Sequence, residues 1–131
     1  DMSFSGLKTA VVNTVHNAEQ KGGSLDRAGL AASFQRAVSE ALVPRTMAAA
    51  EALGYDTVVV AGGVAANKRI RADFEAACEK AGKRLFVPPL RLCGDNGAMI
   101  GSQGYYEFLA GKTAGSERNA YATKEIDDPS F

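Results

Sequence analysis

The chain has 131 residues, 46% of them apolar and 23% charged, and its fifteen basic and fifteen acidic side chains cancel. A chain of this size can bury roughly two-thirds of the surface its unfolded form exposes, so a real core and one soluble domain at most are predicted, and no run of about 18 apolar residues is present to cross a membrane. Zero net charge excludes a bulk electrostatic affinity for nucleic acid or lipid surfaces and leaves only local patches, while the two cysteines, Cys78 and Cys93, follow no disulfide pattern and suit a reducing cytoplasm.

Asp1 falls inside a segment that already reads as structured, without the basic-then-apolar leader that export requires, so the chain is expected to be a piece of a longer protein. Leu7, Ala10, Val11, Val15 and Ala18 recur near one face at helical spacing and predict a first helix over Gly6 to Gln20, stopped by Gly22-Gly23. Ser24 is the expected cap of a second helix, whose stripe of Leu30, Phe34, Val38, Ala41 and Leu42 continues through Ala48 to Leu53 and ends at Gly54. Pro44 interrupts that stripe, and because proline lacks an amide donor and clashes with the preceding turn, a kink near Leu42 or two helices end to end are expected.

A β-branched run predicts a buried strand over Thr57 to Ala61. The next helix is expected from about Ala66 to Ala81, with Ile70, Phe74 and Ala77 inward and Gly82 as its stop, and the strand after it over Arg84 to Val87. Pro88-Pro89 ends that strand, and Asn96 to Leu109 reads as the last helix. From Lys112 apolar residues thin out, so Ala114 to Phe131 is expected to be extended or mobile chain. Strands alternating with helices imply parallel pairing, yet two strands are too few for an open sheet, and the remaining strands are expected upstream. A sheet edge stripped of its neighbours also predicts self-association of this chain.

Two turns carry the chemistry. Gly62-Gly63 follows the first strand, and glycines there let backbone N–H groups approach a bound nucleotide, although the same pair also makes an ordinary strand-to-helix turn. Asn67, downstream of them, suits either a helix cap or a ribose or base edge. Asp95, in Cys93-Gly94-Asp95-Asn96-Gly97, offers a carboxylate at a helix start, where an N-cap and a metal ligand are both open readings. His16, the only histidine, has no ligand-spaced partner and reads as a surface residue. Lys68, Arg69, Arg71, Lys80, Lys83 and Arg84 form the most basic region, but Glu75 and Glu79 share its helix, which favours a solvated face over an RNA-facing patch. Neither a His-Glu-x-x-His helix nor a Gly-x-Ser-x-Gly elbow is present to support protease chemistry.

Three strings stand in register: Ser3-Phe4-Ser5-Gly6-Leu7-Lys8-Thr9, then Val60-Ala61-Gly62-Gly63-Val64-Ala65-Ala66-Asn67 with Arg71, then Cys93-Gly94-Asp95-Asn96-Gly97-Ala98-Met99-Ile100. By them the chain resembles, from Asp1 to about Leu109, the C-terminal part of the TsaD family, the bacterial tRNA threonylcarbamoyladenosine transferase subunit once called O-sialoglycoprotein endopeptidase or glycoprotease. The resemblance implies an α/β fold of the actin-like (ASKHA, ribonuclease H-like) kind, in which two lobes close on a nucleotide. Residues 1–111 would be a truncated part of the second lobe and residues 112–131 an extended C-terminal tail. It implies a metal-dependent acyltransferase, cytoplasmic, that moves the threonylcarbamoyl group from threonylcarbamoyl-AMP to N6 of the adenosine beside the anticodon in tRNAs reading codons that begin with A.

Residue by residue, the resemblance places Asn67, Gly62 and Gly63 on the adenylate and Asp95 on one divalent metal ion, iron rather than zinc, whose other ligands are two histidines of a His-x-x-x-His helix upstream of this chain. It assigns no catalytic residue here. Implied partners are tRNA, a related non-catalytic subunit, a small ATPase and an enzyme that makes the adenylate, so this piece alone is expected to be inactive. Gly94 and Gly97 stand where the family more often has Thr or Ser and Ala, and Pro44 where its helices commonly continue. A sugar- or acetate-kinase-like member of the same superfamily and a non-catalytic scaffold subunit are the alternatives.

Overall fold

A computed structural model of the chain describes residues 3–116 and Asn119. In chain order it holds α1 (Ser5–Gln20), α2 (Arg27–Ala52), β1 (Thr57–Val59), a 3-10 turn (Gly63–Ala66), α3 (Lys68–Ala81), β2 (Arg84–Phe86), a second 3-10 turn (Leu90–Leu92) and α4 (Gly97–Leu109). The first compact unit runs to Asp95 and the second begins at Asn96. Most of the tail expected over Ala114 to Phe131 lies outside the described residues; 112–116 carry neither helix nor strand.

In the first unit β1 and β2 pair in parallel with Thr57 opposite Arg84, Val58 opposite Leu85 and Val59 opposite Phe86. The Arg84 amide donates to Asp56 O at 2.8 Å and the Val60 amide to Phe86 O at 3.0 Å, which carries the pairing just past each end of the ladder. Both strands stop short of their predicted ends because Pro88 offers no amide and the chain after Val60 swings into the glycine turn. Side chains alternate across the sheet: Val58 is buried and Leu85 and Val60 pack beside it, while Val59 and Phe86 point to the other face, 67% and 56% exposed.

The buried side of this sheet meets α3 and α2. Ile70, Phe74 and Cys78 of α3 and Val43 and Ala50 of α2 close on Val58, with Val38, Leu42, Met47 and Ala77 at the margin. Ile70, Phe74 and Cys78 recur at a spacing of four, the stripe that packs one helix row against another. A polar link ties the two helices as well. The buried Ser39 hydroxyl donates to Asp73 Oδ2 at 2.5 Å and Arg69 Nε donates to the same oxygen at 2.7 Å, and these bonds hold the Asp73 carboxyl below the ordinary carboxylate range. On α1, Leu7, Val11, Val15 and Ala18 are half-buried and Ala10 is exposed.

Helix ends follow local chemistry, with one correction. The cap of α2 is Asp26, whose Oδ1 accepts from the Gly29 amide at 2.9 Å, and not Ser24, which lies two residues too early to reach an amide of the first turn. Gly82, at φ 65, closes α3 in the left-handed region as its sequence position predicts.

Pro44 does not divide α2, which is one helix of 26 residues with the proline inside. Its ring removes the bond that Glu40 O would receive, and nearby carbonyls gain side-chain donors: Arg45 Nη1 donates to Ala41 O at 3.0 Å and Thr46 Oγ1 to Leu42 O at 2.9 Å. Packing of Val43 and Ala50 on both sides of the proline keeps the two halves in one helix.

Candidate functional site

The glycine turn leaves the carboxyl end of β1. Gly62 has φ 90 and ψ 178, a conformation essentially closed to residues with a Cβ, and its carbonyl accepts from the Ala65 amide at 3.0 Å to start the 3-10 turn. Gly63 is glycine for neither backbone nor packing reasons: its φ is not positive, and a Cβ placed there would meet nothing within 4 Å. Open space beside a strand-ending turn is room for a ligand to approach the main chain.

Asn67 performs the capping half of its two sequence readings. Its Oδ1 accepts from the Arg69 amide at 2.9 Å and the Ile70 amide at 3.2 Å, opening α3. Its Nδ2 donates to Gln35 Oε1 at 3.0 Å, so the amide has one hydrogen left to offer a ligand. Gln35 was not singled out from sequence. It lies next to Phe34 on the apolar stripe of α2, 32 residues from Asn67, and a polar side chain bordering a stripe is the only signal it gave.

Gln35 and Asn67 meet at a cavity of about 720 Å³ bounded by Gly63, Val64 and Ala65 of the turn and by Phe34, Val38 and Leu42 of α2. That volume is within the range of small-molecule sites, and an apolar lining with a few amide groups suits a ligand with a flat or aliphatic body and a polar edge. Gly63 and Asn67 therefore share one cavity, next to Gly62, while Asp95 is not among the residues that line it.

Asp95 follows β2 by way of the second 3-10 turn. The cap of α4 is Asn96, whose Oδ1 accepts from the Met99 amide at 2.9 Å. Asp95 is exposed, and among the described residues no hydrogen bond or ion pair engages its carboxylate. No group of three or more His, Cys, Asp or Glu side chains able to hold a metal occurs among the described residues, so Asp95 does not make a metal site by itself.

Upstream of it the chain is tied down. Arg71 Nε donates to Ala65 O at 2.5 Å, and Arg71 Nη2 donates to Pro88 O at 2.5 Å and to the Sγ of buried Cys93 at 3.1 Å. Half of the basic region is spent in the same manner. Arg69 pairs with Asp73, and Lys83, its side chain only 7% exposed, bonds Glu51 at 3.1 Å and the Tyr55 carbonyl at 2.9 Å. Lys68, Lys80 and Arg84 are left as exposed cations, and His16 is exposed on α1.

The glycine turn and, further on, the Asp95 turn both follow the carboxyl ends of parallel strands, the end at which open α/β sheets bind ligands, so the class is that of an α/β protein with a candidate ligand site at that end. Residues 1–102 match the family model of TsaD, tRNA N6-adenosine threonylcarbamoyltransferase, and the chain belongs to that family. It is 48% identical over 131 residues to a tRNA N6-adenosine threonylcarbamoyltransferase of Staphylococcus saprophyticus, covering all of this chain and 38% of the relative. The protein of that name from Latilactobacillus sakei is 52% identical over 122 residues, covering 92% of this chain and 36% of the relative. That from Moorella thermoacetica is 50% identical over 109 residues, covering 83% and 32%. The chain thus spans a little over a third of the length of the curated relatives it matches. No helix among the described residues is long and apolar enough to cross a membrane.

Proposed function

We propose that the chain is part of the second lobe of an actin-like tRNA-modifying acyltransferase, and that the full-length protein transfers the threonylcarbamoyl group of threonylcarbamoyl-AMP to N6 of the adenosine beside the anticodon in tRNAs reading A-starting codons. The observation that carries this reading is the family match over residues 1–102, which takes in the α1 start, the glycine turn and the Asp95 turn together. In the reaction N6 attacks the carbamoyl carbonyl carbon, the bond to the phosphate oxygen breaks, AMP leaves with the electron pair, and N6 loses a proton.

The residues here bind and orient. Gly62 and Gly63 bring backbone alongside the adenylate, and Asn67, held by Gln35, turns its remaining amide hydrogen towards it. Asp95 contributes one hard oxygen ligand to a divalent metal, iron in preference to zinc, whose other ligands come from an upstream His-x-x-x-His helix. That metal would supply charge stabilisation at a phosphate or carbonyl oxygen. The protein works in the cytoplasm with a related non-catalytic subunit, a small ATPase and the enzyme that supplies the adenylate.

The test is the full-length protein carrying Asp95→Ala, expressed with its helpers in cells lacking their own enzyme, with tRNA nucleosides quantified by mass spectrometry. Threonylcarbamoyladenosine is expected with the unmodified protein and absent with the variant. Full activity in the variant removes the metal role of Asp95; no product from folded unmodified protein returns the kinase-like and scaffold readings.

A further inference from the structure

Arg71 reaches three separate segments beyond the carboxyl end of the sheet. It projects from the first turn of α3, and its guanidinium bonds the carbonyl of Ala65, the carbonyl of Pro88 and the thiol of Cys93, which lie 6, 17 and 22 residues away. Ala65 belongs to the 3-10 turn that follows the two glycines, Pro88 stands two residues after the last residue of β2, and Cys93 closes the second 3-10 turn two residues before Asp95. Cys93 is itself buried at 4% exposure, with its sulfur 3.6 Å from Pro89 O and 3.8 Å from Pro88 O. A guanidinium is a planar fork whose donors cannot rotate independently, so bonding these three groups at once fixes their relative positions in a manner that a single-point ammonium cannot.

We propose that Arg71 is a positioning residue of the transferase site: its guanidinium knots the glycine turn to the segment leading into Asp95 and so sets the place of the adenylate relative to that carboxylate. The proposal rests on the transferase reading. It assigns Arg71 no contact with substrate. The consequence is kinetic, because a misplacement of about 1 Å between reacting parts costs on the order of a hundredfold in rate, while the adenylate can still bind through the glycine turn alone.

The test uses the full-length protein and two readouts. Alkylation of Cys93 by iodoacetamide, located by peptide mass spectrometry, reads the knot without using activity. Arg71→Met and Arg71→Lys are both expected to raise its rate roughly tenfold or more, since each loses the fork that covers the sulfur. Cys78 is the internal control: it is buried, and burial pushes its thiol up, so it stays protonated and unlabelled. Threonylcarbamoyladenosine formation reads the consequence through Cys93, with variants that keep or delete the hydrogen bonding of its side chain, the bond to Arg71 and the contacts with the Pro88 and Pro89 carbonyls together.

Cys93→Val removes the acceptor and keeps the apolar volume, and is expected to lower kcat about tenfold with KM for the adenylate changed by less than about twofold. Cys93→Ser keeps an acceptor and is expected to stay within about threefold of the parent in kcat, although burying a hydroxyl makes it the less thermally stable of the two. Activity that follows stability, Val above Ser, overturns the positioning role. Wild-type labelling of Cys93 in both Arg71 variants overturns the knot, which also decides the matter if the Cys93 variants fold poorly. Absence of product from the folded parent overturns the transferase reading, and this role with it, while the labelling still reports on the knot.

Discussion

Gly62 and Gly63 are adjacent, identical and under different constraints. At Gly62 the backbone itself demands glycine, with φ 90 and ψ 178, whereas at Gly63 φ is not positive, and a Cβ would meet nothing within 4 Å at either position. Gly62→Ala is therefore expected to cost about 1–3 kcal/mol in stability, the usual cost of a residue held in a sparsely populated region. Gly63→Ala is expected to leave denaturant unfolding of the full-length protein nearly unchanged and to weaken adenylate binding measured by calorimetry. Unaltered adenylate affinity in a folded Gly63→Ala protein would remove the turn from the ligand site. The sequence pointed to both glycines together, but the difference between them was invisible, because it lies in a dihedral angle. Asn67 is similar: its residue type allowed a cap or a ligand contact, and the cap became visible only once α3 was seen to begin at Lys68.

At the scale of elements, Pro44 is the clearest conflict between local preference and tertiary packing. A proline inside a helix costs about 3 kcal/mol relative to alanine, yet α2 runs unbroken through it because Val43 and Ala50 are buried against α3 and β1 on either side. Pro44 is exposed, so Pro44→Ala restores the amide donor for Glu40 O without leaving a cavity. The variant is expected to raise unfolding stability of the full-length protein by about 1–3 kcal/mol. A loss of stability would mean that the packing of α2 depends on the proline.

The helices were otherwise legible to within two residues at most ends, since apolar spacing and glycine stops are local signals. The two 3-10 turns were not. Turns of three or four residues are too short to carry a periodic pattern, and only their hydrogen bonds, Ala65 to Gly62 and Cys93 to Leu90 among them, define them.

At the scale of the molecule, the sheet has two strands among the described residues, and one of its faces is covered. Val59 and Phe86 lie side by side on the other face, 67% and 56% exposed, and among the described residues β1 pairs with β2 on one edge only. A hydrophobic strand with a free edge is a template for another strand, so the 131-residue chain on its own is expected to self-associate, with a sedimentation coefficient that rises with concentration. Val59→Lys should restore a monomer by placing a charge on that strand, and a monomer at every concentration of the unmodified chain would overturn the expectation.

The sequence by itself determined the helix stripes, the two parallel-strand segments, the need for glycine at the turn and the presence of a carboxylate before α4, because propensity, periodicity and residue chemistry act over a few neighbours. Only the tertiary structure decided that Asn67 is held by Gln35, that Lys83 of the basic region is committed to Glu51 and the Tyr55 carbonyl, and that Arg71 joins three segments. Those are contacts between residues far apart in the chain, and nothing local encodes which distant carbonyl a guanidinium will meet once the helices have packed.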